Sequence, residues 1–474
     1  MNTFHQTVKK LYLYSCLMCL CLAWAPPLRA ADASDAAPAP AQLQATVAPL
    51  VAINSGDNAW LLASSALVLM MTAPGLILFY GGLVRKKNVL STMMHSLVLM
   101  ALISAVWMVY GYSMAFGPGN AICGNPFAHL FLKGVSAATP DADYAGTIPA
   151  QTFMLFQMMF AIITPALISG AVAERIKFSA YVMFMLLWVT LIYFPLCHMV
   201  WGKGGFFNWA LGGRIPVLDF AGGTVVHISS GVSALVFALM IGKRDGFPHE
   251  PMVPHNVVLS LIGTGLLWVG WFGFNAGSAL SAGSLATSAF AATHFSAAAA
   301  ALSWSAMEWK LKGKPSVLGA AAGMVAGLAT ITPASGFVSI PAAFCIGLVA
   351  GVVCYTAVTK IKSVFGYDDS LDVFGVHGIG SMAGMLMLGF LANPDVNPAI
   401  ANTFKANGVA VSLAGGSHQF VNQFIGVAFT VALAAVGTFL IVKLVNAVIG
   451  LRVDQEDESI GLDLSQHGER AYNE

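Results

Sequence analysis

The sequence predicts an all-α polytopic membrane protein. Eleven transmembrane helices form two inverted five-helix repeats plus a C-terminal helix, with the N-terminus outside and the C-terminus inside. Three observations predict this fold. Of 474 residues, 57% are hydrophobic and only 9% charged, with a mean hydropathy of +0.76; soluble domains carry about 25% charged residues. Apolar runs long enough to cross about 30 Å of hydrocarbon recur along the chain. Lysine and arginine gather on alternate loops, which sets sidedness. A net charge of +1 gives no argument for nucleic acid as a partner.

Residues 1–30 read as a secretory signal peptide: Lys9 and Lys10 open it, Leu11–Trp24 is apolar but short, and Pro26–Ala30 is the candidate cleavage region. The alternative is an uncleaved extra helix. Residues 31–55, rich in Ala, Pro and Gln, read as a flexible periplasmic N-terminus. The membrane domain, 56–450, holds spans near 59–82, 91–116, 150–172, 178–201 and 222–242, which form repeat one (59–242). Spans near 256–277, 286–309, 317–334, 337–359 and 373–392 form repeat two (256–392), and the eleventh helix covers 418–447. Pro74, Pro165 and Pro195 interrupt spans, which a bundle tolerates when neighbours satisfy the freed backbone groups. Residues 451–474 are a polar tail. Cys16, Cys19 and Cys21 lie in the signal, and no disulfide framework or metal-ligand spacing is visible.

With the N-terminus outside, Arg85, Lys86, Lys87, Arg175, Lys177, Lys243, Arg244, Lys310, Lys312, Lys314, Lys360, Lys362, Lys443, Arg452 and Arg470 fall inside; only Lys133, Lys203, Arg214 and Lys405 fall outside. Five is an odd number of spans, so a second five-helix unit inserts upside down relative to the first. Inverted repeats of this kind place their polar sites near the bilayer midplane.

Ionisable groups inside apolar runs are costly, and they mark a path for an ion, a proton or a polar solute. His227, in span 5, and His377, in span 10, occupy equivalent positions of the two repeats and are expected to meet across the pseudo-two-fold axis. The competing reading is two separate helix-packing histidines. Asp219 and Asp372 open the same two spans, where each is expected to cap a helix, with direct substrate binding as the alternative. Glu174 ends span 3 beside cations and closes a loop. His294, in span 7, is a further intramembrane histidine, read as a packing or inter-subunit contact, with a pore role as the alternative.

Several segments resemble the ammonium transporter family (ammonium/methylammonium permeases and Rhesus-related proteins). They are Phe79-Tyr80-Gly81-Gly82-Leu83-Val84-Arg85, Ala173-Glu174-Arg175-Ile176, His198-Met199-Val200-Trp201-Gly202, Asp219-Phe220-Ala221-Gly222-Gly223-Thr224, Gly270-Trp271-Phe272-Gly273-Phe274-Asn275 and Asp372-Val373-Phe374-Gly375-Val376-His377. The tail from Gly450 to Tyr472 is similar as well, so the resemblance spans about 56–474. It implies a homotrimer with one path through each subunit and no cofactor. Phe160, Trp201, Ser278 and Asp219 match the family's outer ammonium-recruitment site; Phe160 and Phe274 match its phenylalanine gate; His227 and His377 match its pore histidines. Phe156 and Tyr193 are candidate vestibule residues.

The resemblance further implies deprotonation of ammonium at the gate, conduction of ammonia past the twin histidines, and proton relay by that pair. It implies a tail that meets a PII-type signalling protein at the cytoplasmic face, and transport rather than enzyme activity; the secretory signal and the positive-inside pattern suggest a Gram-negative-type inner membrane. Departures are Phe156-Gln157-Met158-Met159-Phe160, where small residues are common between the aromatics, and Ala292, where asparagine is frequent. An ammonium sensor and a passive Rhesus-type gas channel are the alternatives. Trp201 with Ser278 favours the cation-recruiting branch.

Overall fold

The structure is a computed structural model, which describes residues 53–406 and 408–472. The expected signal peptide lies outside the described residues, as does nearly all of the expected flexible N-terminus. Eleven apolar helices follow in order: α1 Ser55–Leu83, α2 Lys86–Phe116, α3 Ala150–Val172, α4 Phe178–Trp201, α5 Gly223–Ile241, α6 Val257–Gly277, α7 Ser284–Lys312, α8 Val317–Ile331, α9 Ile340–Phe365, α10 Phe374–Leu391 and α11 Ser417–Ile449. Two short helices, α12 Gln455–Ile460 and α13 Leu462–His467, close the tail.

Ten of the eleven are long and apolar enough to cross a membrane. The exception is α8. Its 15 residues rise only about 22 Å, where a span to 334 was expected. It stops at Ile331 because the following segment, Thr332–Val338, is turned. Helix starts follow capping chemistry. Asn54 accepts the Asp57 N–H at 3.0 Å, which starts α1 four residues ahead of the expected boundary; Asn256 and Ser316 do the same for α6 and α8.

Burial ranks the helices. In α3 and α5, 89% and 78% of the apolar stretch is buried within the chain, against 39% for α11, so α3 and α5 are central and α11 runs along the outside. Close approach needs small residues. A side chain at Gly327 of α8 would sit 2.6 Å from the Ala300 Cβ of α7, so only glycine lets these helices touch there.

Several spans are not regular helices. Wide π turns occupy Met71–Leu76 of α1, Trp107–Gly111 of α2, Val189–Tyr193 of α4, Gly223–Ile228 of α5, Ala357–Ile361 of α9 and Phe374–Ile379 of α10. In α1 the helix breaks at Ala73, before Pro74, because proline cannot continue the backbone ladder. The turns recur in α4 and α9, and in α5 and α10, which are repeat-related partners. The helices α6 and α7 run through where α1 and α2 are interrupted.

At the end of the bundle that carries the basic loops, buried charges tie the loops together. Glu174 receives Arg85 Nε at 2.6 Å and lies 3.6 Å from Arg244. Arg244 in turn forks onto the Asp368 carboxylate. Burial would raise the Asp368 carboxyl, but the Arg244 bonds and the Arg175 charge hold it below the usual carboxylate range. Arg175 donates to the carbonyls of Gly242 and Asp368 and to the Ser370 hydroxyl. Glu174 is thus the centre of a network rather than a simple loop closure. The tail folds onto the same surface. Asp463 accepts the Ser91 N–H at the start of α2, Lys87 donates to the carbonyls of Glu458 and Ser459, and Glu458 accepts Arg452.

Candidate functional site

The site is built from the starts of α5 and α10. Ahead of α5, the Asp219 carboxylate accepts four hydrogen bonds: the N–H groups of Gly222 (2.8 Å), Gly223 (2.6 Å) and Thr224 (2.7 Å), and the Thr224 hydroxyl. It is a helix cap, only 2% exposed, with its charge spread over the first turn. Gly222 sits at φ +117°, a left-handed conformation that suits glycine. The backbone carbonyl of Asp219 accepts the indole N–H of Trp201 at 2.9 Å, so the same loop fixes that ring.

Ahead of α10, the equivalent cap is not Asp372. The Asp372 carboxylate pairs with Lys362 at 2.7 Å, and the Phe374 N–H at the helix start goes to Asp369 instead. Spacing explains the correction: Asp369 stands eight residues before His377, as Asp219 stands eight before His227. Asp369 has a carboxyl pushed up to about 6, by burial first and by the Asp372 charge, with Lys362 opposing.

These caps begin the π turns that carry the histidines, and the two rings do meet. His227 and His377 approach Nδ1 to Nδ1 at 3.2 Å, with centroids 5.1 Å apart and planes 14° off parallel. A nitrogen–nitrogen contact this short requires one shared proton, since two lone pairs repel and two N–H groups clash. One ring therefore offers an Nε2 lone pair and the other an Nε2–H. The Nε2 of His227 is buried with no partner among the described residues. Trp271 stacks on His227 at 5.5 Å and is anchored by its N–H donating to the Thr332 hydroxyl.

On one side of the pair, Phe160 and Phe274 lie 4.3 Å apart, tilted by 37°. Beyond them opens a cavity of about 260 Å³ whose wall includes Phe153, Gln157, Phe160, Trp201, Asp219 and Ser278. Trp201 stands edge-on to Phe160 at 6.0 Å. The Ser278 hydroxyl donates to the Phe274 carbonyl, which leaves its oxygen free to accept. Between the phenylalanines and the histidines the space narrows to about 10 Å³, lined by Leu76, Phe79, Ile163, Leu167, Val226 and Trp271. His377, Phe79 and Val325 also line the next cavity, of about 480 Å³, toward the basic loops.

Phe160, Trp201, Ser278 and Asp219 thus share one cavity, and Phe274, His227 and His377 follow it. Phe156 and Tyr193 do not line it: Phe156 packs edge-on behind Phe160 at 5.0 Å, and Tyr193 is buried between Trp188 and Phe194. Phe153 and Gln157 line it instead. They stand seven and three residues before Phe160, and helical spacing back from that residue finds both. His294 lies on the outer surface of the chain, packed against Trp268, Phe272 and Phe295, and takes no part in the site.

An apolar helical bundle holding a water-sized, largely apolar passage with a histidine pair between two open cavities defines a multi-pass membrane transport protein. Comparison narrows this. The profile of the Ammonium Transporter Family matches residues 59–472, and the chain belongs to that family. It is 46% identical over 420 residues to the ammonium transporter of Bacillus subtilis, covering 88% of this chain and 99% of that one. The ammonium transporter of Aquifex aeolicus is 44% identical over 422 residues, covering 89% and 94%. Among solved structures, Mep2 of Saccharomyces cerevisiae superposes with a TM-score of 0.75 at 32% identity, over 85% of this chain and 91% of that one. A protein titled Sensor Amt Protein superposes with a TM-score of 0.77 at 28% identity, over 87% and 98%.

Proposed function

We propose that the chain recruits ammonium in the aromatic cavity, removes a proton at the Phe160–Phe274 gate, and passes ammonia along the lumen past His227 and His377. The single observation that carries this reading is the continuous order of cavity, paired phenylalanines, histidine pair and second cavity.

The chemistry follows from what each part can hold. Ammonium has nearly the size of potassium, so selection needs acceptors for its N–H groups together with aromatic faces. Trp201, Phe160 and the Ser278 oxygen supply both, with the Gln157 side-chain oxygen, buried and without a partner among the described residues, beside them. The lumen past the gate is apolar, where a bare cation is strongly disfavoured and neutral ammonia is not. The histidine pair offers ammonia one acceptor and one donor. Because the pair holds a single shared proton, it also suits a relay for the proton left at the gate.

In this reading the aromatic cavity faces the periplasm of an inner membrane, with the N-terminus outside and the tail and basic loops in the cytoplasm. The assembly is a homotrimer. It is supported by His294, which is exposed on a single subunit midway along α7, a place where a polar side chain needs a protein partner. The tail meets a PII-type regulator. A second reading, ammonium sensing, is favoured by the likeness to the Sensor Amt Protein and is compatible with transport.

The test is the transient current of the reconstituted protein on a solid-supported membrane after an ammonium pulse, beside His227→Ala. A current with ammonium but not potassium, lost or made potassium-permeable in the variant, is expected. Its absence from folded protein refutes the relay and leaves neutral ammonia conduction or sensing.

A further inference from the structure

The eleventh helix stands outside both repeats, yet it reaches the loop ahead of α5 through one side-chain amide. Gln423 of α11 holds the backbone of Leu218 at two points. Its Oε1 accepts the Leu218 N–H at 2.8 Å, and its Nε2 donates to the Leu218 carbonyl at 2.7 Å. Gln419, one turn earlier, donates to the same Oε1 and to the Pro216 carbonyl, both at 3.0 Å. Leu218, Gln419 and Gln423 are all buried. Gly426 lets α11 come this close, since a Cβ there would lie 2.8 Å from the Val217 side chain.

Leu218 directly precedes Asp219, whose carbonyl accepts the Trp201 indole N–H. The place of the Trp201 ring therefore depends on where the backbone of 218 and 219 lies. Gln423 is the one partner of both Leu218 backbone groups among the described residues. Without it a buried N–H and a buried carbonyl would stand unpaired, and the loop would have to shift to satisfy them. The end with the basic loops repeats the arrangement in other chemistry. Asp368 precedes the cap Asp369 as Leu218 precedes Asp219, and its carbonyl accepts Arg175 Nη2 at 2.6 Å. Each capping aspartate thus follows a residue whose carbonyl is held by a side chain from another element. Arg175 belongs to the buried ion network; Gln423 is a neutral amide that supplies a donor and an acceptor together.

We infer that Gln423 is a positioning residue for the aromatic cavity: through Leu218 and Asp219 it sets the place of the Trp201 ring, and so the affinity for ammonium. The effect on affinity rests on the recruitment reading above, whereas the effect on the ring does not. The cap of α5 is made within residues 219–224 and moves with the loop, so passage beyond the gate is affected less than recruitment.

Fluorine NMR of the full-length protein in detergent, labelled with fluorotryptophan, tests the effect on the ring. Trp201→Phe assigns the Trp201 resonance, and Gln423→Leu, which keeps the bulk and loses both bonds, should shift it. Thr430→Val removes a buried hydroxyl bonded within the same helix and should leave that resonance in place, whatever it does to the melting temperature. Ammonium currents on a solid-supported membrane test the effect on affinity. Gln423→Leu should raise the half-saturating ammonium concentration about tenfold and change the maximal current less than about twofold. Gln423→Glu separates hydrogen bonding from packing, because its carboxylate cannot donate to the Leu218 carbonyl and the protonated acid can. Relative to the wild type, its half-saturation should be near normal at about pH 5 and raised at about pH 8. An unmoved Trp201 resonance in Gln423→Leu protein of wild-type oligomer mass, or an equal shift in Thr430→Val, overturns the inference. So does a Gln423→Glu half-saturation that follows the wild type at both pH values. A moved resonance with unchanged half-saturation in Gln423→Leu keeps Gln423 as the anchor of the ring and refutes recruitment at Trp201 instead.

Discussion

The residues that matter most here are ordinary ones in places that cost free energy. Asp219 is a carboxylate removed from water, and it persists because four donors of one loop converge on it. Asp219→Ala would leave those donors unpaired, each costing about 1–3 kcal/mol, while Asp219→Asn keeps an acceptor. The alanine variant should therefore melt well below the asparagine variant in detergent, and equal melting would refute the capping role. Asp369 behaves differently. Its carboxyl, raised to about 6 from an ordinary value near 3.9, binds a proton more tightly in the native chain than in the unfolded one. Stability should then fall as pH rises between about 4 and 6. Asp369→Asn should flatten that slope, which a pH series of thermal melts would read directly.

At the scale of elements, the π turns place the chemistry. A regular first turn in α5 or α10 would rotate each histidine relative to its cap, and the 3.2 Å contact depends on both turns. The left-handed Gly222 starts the first of them. Gly222→Ala would hold a non-glycine residue at φ +117° with its Cβ 2.6 Å from Val226, a strain of about 1–3 kcal/mol. A drop in melting temperature with loss of ammonium current is expected; wild-type behaviour would mean the loop relaxes freely. The recurrence of π turns in α4 and α9, and in α5 and α10, is the repeat written in backbone geometry. Its absence from α6 and α7 marks where the two halves have diverged.

For the whole molecule, the buried ion network is the joint between the halves. Glu174 and Arg85 come from repeat one, Asp368 from repeat two, and Arg244 bridges them. Removing one partner leaves buried charges uncompensated, at about 3–5 kcal/mol. Glu174→Gln should lower the melting temperature far more than Lys203→Gln, which breaks an exposed pair worth about 0–1 kcal/mol. Similar small effects from both would refute the joint.

The sequence by itself determined the class, the helix order and the two histidines, because burial in hydrocarbon forces long apolar runs and makes each exception to them visible. Asp369 was legible too, in its eight-residue spacing to His377, but Asp372 lay nearer the helix and was the more obvious cap. Tertiary structure decided between Asp369 and Asp372 as the cap of α10 and between Gln157 and Phe156 at the cavity, and it alone showed that α8 stops short. Each of these depends on the rotation of one helix against another, which packing across the bundle sets and local sequence does not.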